Sequence, residues 1–204
     1  MTTIRLATEA DAGAIQAIYA PYVQNTPISF ELEPPPVEEM RERIRKTLRL
    51  FPWLVCENGQ GRVVGYAYAS RHRERAAYQW SVDATVYVDP RAHRMGVGRG
   101  LYTSLFALLR LQGFFNVYAG IALPNEASVS LHTAVGFQPV GVYRAVGYKL
   151  GKWHDVSWWS LALQPPAVEP SLPRPLTSIS QDSSWQSALH AGLSLVRPIG
   201  DYRN

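Results

Sequence analysis

Apolar and polar residues along the chain repeat with two periods, and the period changes from segment to segment. Apolar positions spaced three and four apart predict helices over 15–23 and 36–48, and a longer helix from Val97 to its stop at Gly113. A further short helix is predicted from Asn125, as its N-cap, to Gly136. Runs rich in β-branched and aromatic residues predict strands at 4–6, 53–57, 62–70, 79–88, 115–122, 141–149 and 155–163. This order of elements predicts one α/β (mixed α+β) domain with a central sheet.

The character of the chain changes at Pro165. Five prolines lie between Pro165 and Pro175, and a Ser-rich stretch follows them. We therefore divide the chain into a domain at 1–164 and a Pro/Ser-rich C-terminal extension at 165–204. We expect the extension to be flexible or peripherally docked, with Trp185 and Leu189 in one or two docked helical turns.

Composition narrows the class of protein. The 204 residues are 47% hydrophobic, and no apolar run reaches membrane-spanning length and no signal-peptide pattern opens the chain, so a cytoplasmic location is expected. The single cysteine, Cys56, lies in an apolar run and is expected to be a buried thiol rather than a nucleophile. The net charge of +4 comes from 17 Arg and 3 Lys without a continuous basic face, so no nucleic-acid partner is expected. No His/Cys/carboxylate cluster has metal-ligand spacing, so no metal is expected.

A loop with two closely spaced glycines follows the strand at 79–88. Gly96 and Gly98 precede the longest predicted helix and would leave room for a ligand against the backbone. Unpaired N–H groups at a helix start, with the positive end of the helix dipole behind them, bind phosphate groups. The spacing fits neither a Walker P-loop nor a dinucleotide fingerprint, because the third glycine is Gly100. The loop indicates either a diphosphate site or a glycine turn needed only for packing.

The strand that leads into this loop has two chemically different faces. With a period of two, Val82 and Ala84 share an apolar face, whereas Asp83 and Tyr87 share the other. The spacing thus predicts a polar face beside a phosphate site, or merely a solvated strand face.

Six segments together identify a resemblance to a known family. They are IRLATEAD, FPWLVCENG, AAYQWSVDATVYVDPR, MGVGRGLY, ALPNEASVSLHTAVGF and VGYKLGKWHDVSWW. Residues 4 to about 163 resemble the phosphinothricin and methionine sulfone (or sulfoximine) N-acetyltransferase branch of the GNAT family. The resemblance implies the GNAT fold, a twisted mixed sheet flanked by helices with a splayed strand pair that holds acetyl-CoA. One departure is His93, at a loop position where the family usually has Gln or Arg.

The resemblance implies catalytic roles for Asp83 and His132. Family members carry Glu where this chain has Asp83, and that Glu is the proposed base for the acceptor amine. Since Asp is one carbon shorter, we expect it to act through one water. His132 would accept the amine proton or protonate the departing CoA thiolate. The alternative for His132 is a hydrogen-bonded, partly buried imidazole without a catalytic role.

The resemblance also implies the binding residues. Acetyl-CoA is the expected donor, with its diphosphate on the loop and its pantetheine arm along the preceding strand. The residues expected to contact it are Val86, Tyr87, Val88, Arg94, Met95, Gly96, Val97, Gly98, Arg99, Asn125 and Ser128. The residues expected to line the acceptor pocket are Phe30, Arg73, Arg75, Tyr78 and Tyr87. Arg71, Arg73 and Arg75 would point to one side if extended, and a solvated basic edge is the alternative for them.

The expected activity is direct transfer of an acetyl group to the amine of a small amino acid or analogue, as in detoxification of amino-acid analogues. The alternative from another class is a catalytically weak acyl-CoA-binding regulatory module. The resemblance also implies a homodimer, for which the closing strands with Trp153, Trp158 and Trp159 could form the interface.

Overall fold

The computed structural model describes residues 1–200, in which seven strands form one mixed sheet. The strands are β1 (Thr3–Leu6), β2 (Trp53–Glu57), β3 (Val63–Arg71), β4 (Ser81–Val88), β5 (Asn116–Ala122), β6 (Gln138–Lys149) and β7 (Lys152–Ala162). Their order in the sheet is β1-β2-β3-β4-β5-β7-β6. Only β4 and β5 run parallel, and the other neighbours are antiparallel. The predicted mixed sheet is confirmed.

Six helices accompany the sheet in the described residues. They are α1 (Ala12–Asn25), α2 (Val37–Thr47), α3 (Val97–Gln112), α4 (Glu126–Ala134), α5 (Leu176–Ile179) and α6 (Trp185–Leu189). The glycine predicted to stop α3 does so, because Gly113 is in the left-handed region at φ 93° and its N–H bonds the carbonyl of Arg110. None of these helices is long and apolar enough to cross a membrane.

The alternation along β4 divides the core into two layers. Val82 and Ala84 lie in a cluster with the buried face of α3. On the opposite face, Tyr87 packs beside Tyr66 in the cluster formed with α1 and α2. Both faces of this strand are therefore covered along part of its length. Asp83 shares the Tyr87 face but lies outside both clusters, with its side chain 28% exposed.

The fork between β4 and β5 is the feature that opens the sheet. The two strands pair only from Ser81 to Asp83, opposite Asn116 to Tyr118. Beyond this point β4 continues to Val88 along β3, while β5 continues to Ala122 along β7. Among residues 1–200, the backbone edge of β4 that faces β5 therefore has no strand partner past Asp83.

The C-terminal extension packs against α3 over its described length. Leu176, Ile179, Trp185 and Leu189 are buried and belong to the same cluster as α3. Gly192 donates its N–H to Ser104 Oγ at 3.0 Å, which ties the chain after α6 to α3. These apolar side chains bury enough surface to hold a Pro-rich segment in place, so the described part of the extension forms part of the core rather than a free tail. The boundary at residue 164 stays a prediction.

Candidate functional site

Asp83 lies at the fork, where the pairing between β4 and β5 ends. Its neighbours in the sheet are Ser70 on β3 and Tyr118 on β5. Burial raises the pKa of the Asp83 carboxyl, and the nearby His72 and Arg73 oppose that rise. A carboxylate with a raised pKa in an opening of the sheet is suited to accept a proton.

His72 is the hydrogen-bond partner of Asp83. Its Nδ1 lies 2.7 Å from Asp83 Oδ1, and its ring stacks on Tyr118 with centroids 4.2 Å apart. β3 ends at Arg71, so His72 leaves the sheet two residues past Ser70, the residue that pairs with Asp83. The sequence analysis did not single out this histidine, because its position beside Asp83 depends on the register of β3 against β4.

The predicted basic edge is not extended. The chain bends after Arg71 and forms a 3-10 turn at Ala76–Tyr78, so the three arginines do not point to one side as a strand would require. Arg73 lies over the ring of Trp158, with its guanidinium carbon 5.7 Å from the ring centroid, and donates to the carbonyl of His72. Arg75 and Tyr78 are exposed on this bent segment, residues 72–78, which we call the rim.

Trp158 is a second residue that sequence reasoning did not assign to the acceptor site. It pairs with Gly120 on β5, two residues from Tyr118, and therefore shares the face of the sheet that carries Asp83. Its indole Nε1 is buried and has no hydrogen-bond partner among the described residues. A buried donor without a partner is costly, so this N–H is available to a bound ligand.

Phe30 comes from the loop between α1 and α2 and lies against β6. A Cβ on Gly147 would come within 2.1 Å of the Phe30 ring, so the absence of a side chain there allows the contact. Lys149 Nζ donates to the carbonyls of Val23 and Ser29, each at 2.6 Å, and anchors the same loop. Phe30 is thus held in place, with its side chain exposed.

The glycine loop has an unusual backbone between β4 and α3. Arg94 and Gly96 both have positive φ, at 61° and 81°, and α3 begins at Val97. The N–H of Gly100 bonds the carbonyl of Gly96, and the N–H groups of the first helical turn before it have no partner within the helix. Arg94 and Arg99 are exposed at this helix start, while Val97 is buried. The arrangement fits an anionic diphosphate.

The missing side chains of Gly96 and Gly98 make room for different parts of the protein. A Cβ on Gly98 would lie 3.0 Å from Leu131 Cδ2 and 3.7 Å from Val88 Cγ2, so Gly98 faces the space between β4 and α4. A Cβ on Gly96 would instead meet the carbonyl oxygen of Leu195 at 2.0 Å. The expectation that Gly96 leaves room for the ligand is therefore corrected, since its missing side chain leaves room for the extension.

His93 closes the loop against the end of β4. Its Nε2 lies 2.9 Å from the hydroxyl of Tyr22, which donates to the carbonyl of Val88 at 2.7 Å. Val86 and Val88 are partly buried against the α3 cluster, and Tyr87 packs edge-on to Tyr19 with centroids 4.9 Å apart. Met95 also packs against that cluster. The end of β4 is thereby fixed beside the loop.

Helix α4 holds the remaining predicted residues. Asn125 accepts the N–H of Ser128 at 3.1 Å, which confirms it as the N-cap. His132 is buried, with Nδ1 2.7 Å from the carbonyl of Ser128 and Nε2 3.1 Å from the hydroxyl of Tyr102. Burial lowers its pKa, so the ring is neutral. Both ring nitrogens are engaged within the protein, and a catalytic role for His132 stays a prediction.

Cys56 is buried, as expected, and burial raises its pKa to about 12. It is therefore a thiol rather than a nucleophilic thiolate at neutral pH.

His154 and Asp155, which the resemblance left without a role, hold the β6–β7 hairpin: His154 Nε2 lies 3.0 Å from the carbonyl of Lys149, and Asp155 accepts the N–H of Ala145. Within residues 1–200 no three His, Cys, Asp or Glu side chains are grouped as metal ligands.

The predicted closing-strand tryptophans are not all on the surface. Trp153 is 63% exposed, whereas Trp159 is buried in the α3 cluster and Trp158 is half-buried beneath Arg73. Trp159 is therefore not available to an interface, while an interface through the closing strands stays a prediction. The alternation along β7 turns Trp159 into the core and Trp158 to the opposite face.

Comparison with known proteins agrees with this geometry. Residues 4–158 match the family described as Acetyltransferase (GNAT) domain. The chain is 42% identical over 178 residues to a phosphinothricin N-acetyltransferase of Streptomyces viridochromogenes, which covers 87% of this chain and 94% of that protein. It is 32% identical over 169 residues to an L-methionine sulfoximine/L-methionine sulfone acetyltransferase of Pseudomonas paraeruginosa, which covers 82% and 98%.

A solved structure has the same fold with a donor bound. A GNAT superfamily phosphinothricin acetyltransferase from Sinorhizobium meliloti, in complex with AcCoA, superposes with a TM-score of 0.79 at 33% identity. The match covers 83% of this chain and 93% of that one.

Proposed function

This chain belongs to the GNAT family of acetyltransferases, and from that premise we propose that it transfers the acetyl group of acetyl-CoA to the α-amine of an amino-acid analogue with a second polar or acidic headgroup. Phosphinothricin, methionine sulfone and methionine sulfoximine are acceptors of this kind. The observation that carries the proposal is the fork at Asp83: a carboxylate with a raised pKa lies where β4 and β5 separate, next to a loop suited to a diphosphate.

The donor is held by backbone groups. Acetyl-CoA supplies a thioester that an amine can attack. The N–H groups of residues 94–99 bind the diphosphate, with Arg94 and Arg99 adding positive charge. The unpaired edge of β4 at residues 86–88 pairs with the amides of the pantetheine arm and can polarise the thioester carbonyl. Asn125 and Ser128, at the start of α4, flank the arm from the other side of the gap.

The acceptor is held beside Asp83 and deprotonated there. Arg73, which rests on Trp158, and Arg75 at the rim provide positive charge for the carboxylate or polar headgroup. The buried N–H of Trp158 provides a further donor. Tyr78, Tyr87 and Phe30 enclose the acceptor. Asp83, through one water, takes a proton from the protonated amine, and the freed amine then attacks the acetyl carbon. The thioester C–S bond breaks, and CoA leaves as a thiolate that takes up a proton.

The test is acceptor-dependent thiol release from acetyl-CoA across these three analogues and ordinary amino acids. We expect turnover with the analogues and a loss of about 100-fold or more in Asp83→Asn, because general-base catalysis contributes on the order of 10²–10⁴. Asp182→Asn, in an ion pair on the extension, is the matched control and should keep full activity. Tight CoA binding without acceptor-stimulated release would instead favour the acyl-CoA-binding module.

We further propose that the enzyme is a homodimer that works in the cytoplasm. Among residues 1–200, β6 is an edge strand that pairs with β7 alone, and it carries exposed apolar side chains. A long apolar edge is unstable in isolation unless another chain covers it. Light scattering gives the oligomeric state, and cell fractionation tests the location.

A further inference from the structure

His72 is held in one orientation by contacts on several sides. Its ring stacks on Tyr118 at an interplanar angle of 17°, and the ring of Tyr78 meets it edge-on at 5.9 Å. Arg73 donates to its carbonyl at 2.9 Å. The side chain is only 10% exposed. An imidazole fixed in this way can impose a geometry on its partner, Asp83.

The hydrogen bond between the two residues also fixes the tautomer. An ionised carboxylate only accepts, so the proton between Asp83 Oδ1 and His72, 2.7 Å apart, belongs to Nδ1. Within residues 1–200 no other hydrogen bond engages the ring nitrogens of His72. The second carboxylate oxygen of Asp83 is likewise without a hydrogen-bond partner in this part of the chain.

An aspartate needs such support more than a glutamate at this position. Its carboxylate lies about 1.5 Å closer to the backbone, one C–C bond short of where a glutamate would reach. The bridging water must therefore be held in line by a carboxylate that does not rotate. With one oxygen bound to His72, the other stays unengaged within residues 1–200, at the strand position where β4 and β5 separate.

We propose that His72 is a positioning residue for the acetyl transfer, whose Nδ1–H holds Asp83 Oδ1 and keeps Oδ2 free to receive the proton of the acceptor amine. This inference rests on the proposed function. The amine N–H bond breaks, its proton passes to the bridging water, and a proton of that water passes to Oδ2 and later to solvent. His72 stays bonded to Oδ1 throughout.

The ionisable groups around His72 determine how the activity depends on pH. The ionisable groups against it are Asp83 from β4, Tyr118 from β5, Tyr78 from the 3-10 turn and Arg73 beside it in the chain. Burial raises the pKa of Asp83, whereas the His72 hydrogen bond lowers it. Removing the bond therefore raises the pKa of Asp83, and activity that needs the ionised carboxylate is then lost at a higher pH.

Two variants separate positioning from packing. His72→Phe keeps a ring to stack on Tyr118 but has no donor, while His72→Asn keeps an N–H donor near the place of Nδ1. His190→Asn, on the exposed extension, is the matched control. The measurements are kcat, KM for each substrate, the pH profile of kcat/KM and the thermal unfolding midpoint of the purified full-length protein.

We expect His72→Phe to lower kcat on the order of 10- to 100-fold, the usual value of a hydrogen bond to a charged group. The acidic limb of its kcat/KM profile should move to higher pH, and its KM for acetyl-CoA should not change. His72→Asn should recover most of the wild-type kcat and return the acidic limb of the kcat/KM profile to nearly its wild-type pH. The proposal is overturned if His72→Phe keeps the wild-type kcat and acid limb. It is also overturned if Asn restores neither while both variants unfold at the wild-type temperature.

The outcome separates this inference from the proposed function. If Asp83→Asn is inactive while His72→Phe is like wild type, only the role of His72 fails. If Asp83→Asn keeps full acceptor-dependent turnover, the base of the proposed function fails as well.

Discussion

At the scale of single residues, burial sets the protonation states in and around the site. Burial raises the pKa of Asp83 and lowers that of His132, so the two pKa values move in opposite directions while each shift favours the neutral form of its group. The cause is the same in both cases, since a charged group loses hydration when it is covered. Asp83 thereby becomes a stronger base, and His132 becomes a neutral hydrogen-bonding group.

The neutral state of His132 predicts a stability that depends on pH. Its pKa in the unfolded chain is near 6.5 and is lower in the folded protein, so below pH 6.5 the unfolded state binds the proton first. The free energy of unfolding should therefore fall as pH decreases from about 6.5, by at most about 1.4 kcal/mol per pH unit for this one proton. Urea unfolding at pH 7.5 and pH 5.5 measures this change in the free energy of unfolding. His132→Gln should flatten this dependence, and an equal slope in both proteins would contradict the assignment.

Arg73 and Arg75 should differ in their effect on the acceptor. Arg73 is oriented over Trp158, whereas no such contact holds Arg75 at the rim. We expect Arg73→Gln to raise the KM for the acceptor about 10-fold or more, because a hydrogen bond to a charged group is worth about 1.5–3 kcal/mol. Arg75→Gln should raise it less, and neither should change the KM for acetyl-CoA. Initial rates at varied acceptor and acetyl-CoA concentrations give these KM values, and Arg49→Gln, at an exposed residue, is the control. Equal KM values of Arg73→Gln and the wild type for the acceptor would contradict the prediction.

At the scale of elements, the extension supports the start of α3. Arg197 donates its N–H to the carbonyl of Met95 at 2.9 Å, next to the glycine loop. A Cβ on Gly100 would lie 2.6 Å from Val196 Cγ2, so the third glycine of the sequence motif serves this contact. Helix and extension therefore approach each other backbone to backbone, and the extension supports the loop proposed to bind the diphosphate from its far side.

Gly192→Ala tests this support. The added Cβ would lie 1.9 Å from the carbonyl oxygen of Gly100, so the extension must shift, at a cost of about 1–3 kcal/mol. We expect a higher dissociation constant for CoA, measured by calorimetry, and a higher KM for acetyl-CoA with the KM for the acceptor unchanged. Gly13→Ala, whose Cβ would meet nothing within 4 Å, is the control. Unchanged CoA affinity in Gly192→Ala would show that the extension is not needed by the loop.

At the scale of the whole molecule, the exposed edge at β6 is the feature that a monomer leaves uncovered. Val140, Tyr143, Tyr148 and Trp153 are between 51% and 63% exposed on the β6–β7 hairpin. They lie on the hairpin at the end of the sheet opposite β1. Tyr148 packs beside Trp153, whereas Tyr143 packs beside Trp158. A second copy of the chain, as proposed, would cover this hairpin.

Val140→Asp should reduce the molecular mass in solution from dimer to monomer, because an isolated charge in an apolar interface loses its hydration. Light scattering at several concentrations measures the mass. Leu172→Asp, which changes an equally exposed apolar residue on the extension, should leave the mass unchanged. A monomeric wild type, or a dimeric Val140→Asp, would contradict the dimer.

The sequence by itself determined those features that depend on neighbouring residues. Periodicity predicted the strands and helices, Gly113 predicted the end of α3, and Asn125 predicted the cap of α4, since each acts within a turn or two of the backbone. The segments of the family resemblance added the mixed sheet, which the structure confirms, and the role of Asp83 as base, which stays a prediction.

Only the tertiary structure decided which distant residues meet. It brought His72 to Asp83 and Trp158 to Arg73 through the register of separate strands, and it turned Gly96 and Gly100 toward the extension. It also decided that the Pro-rich segment packs against α3. Local patterns carry no information on these contacts, because register and docking are set by burial of the whole core rather than by the spacing of residues along the chain.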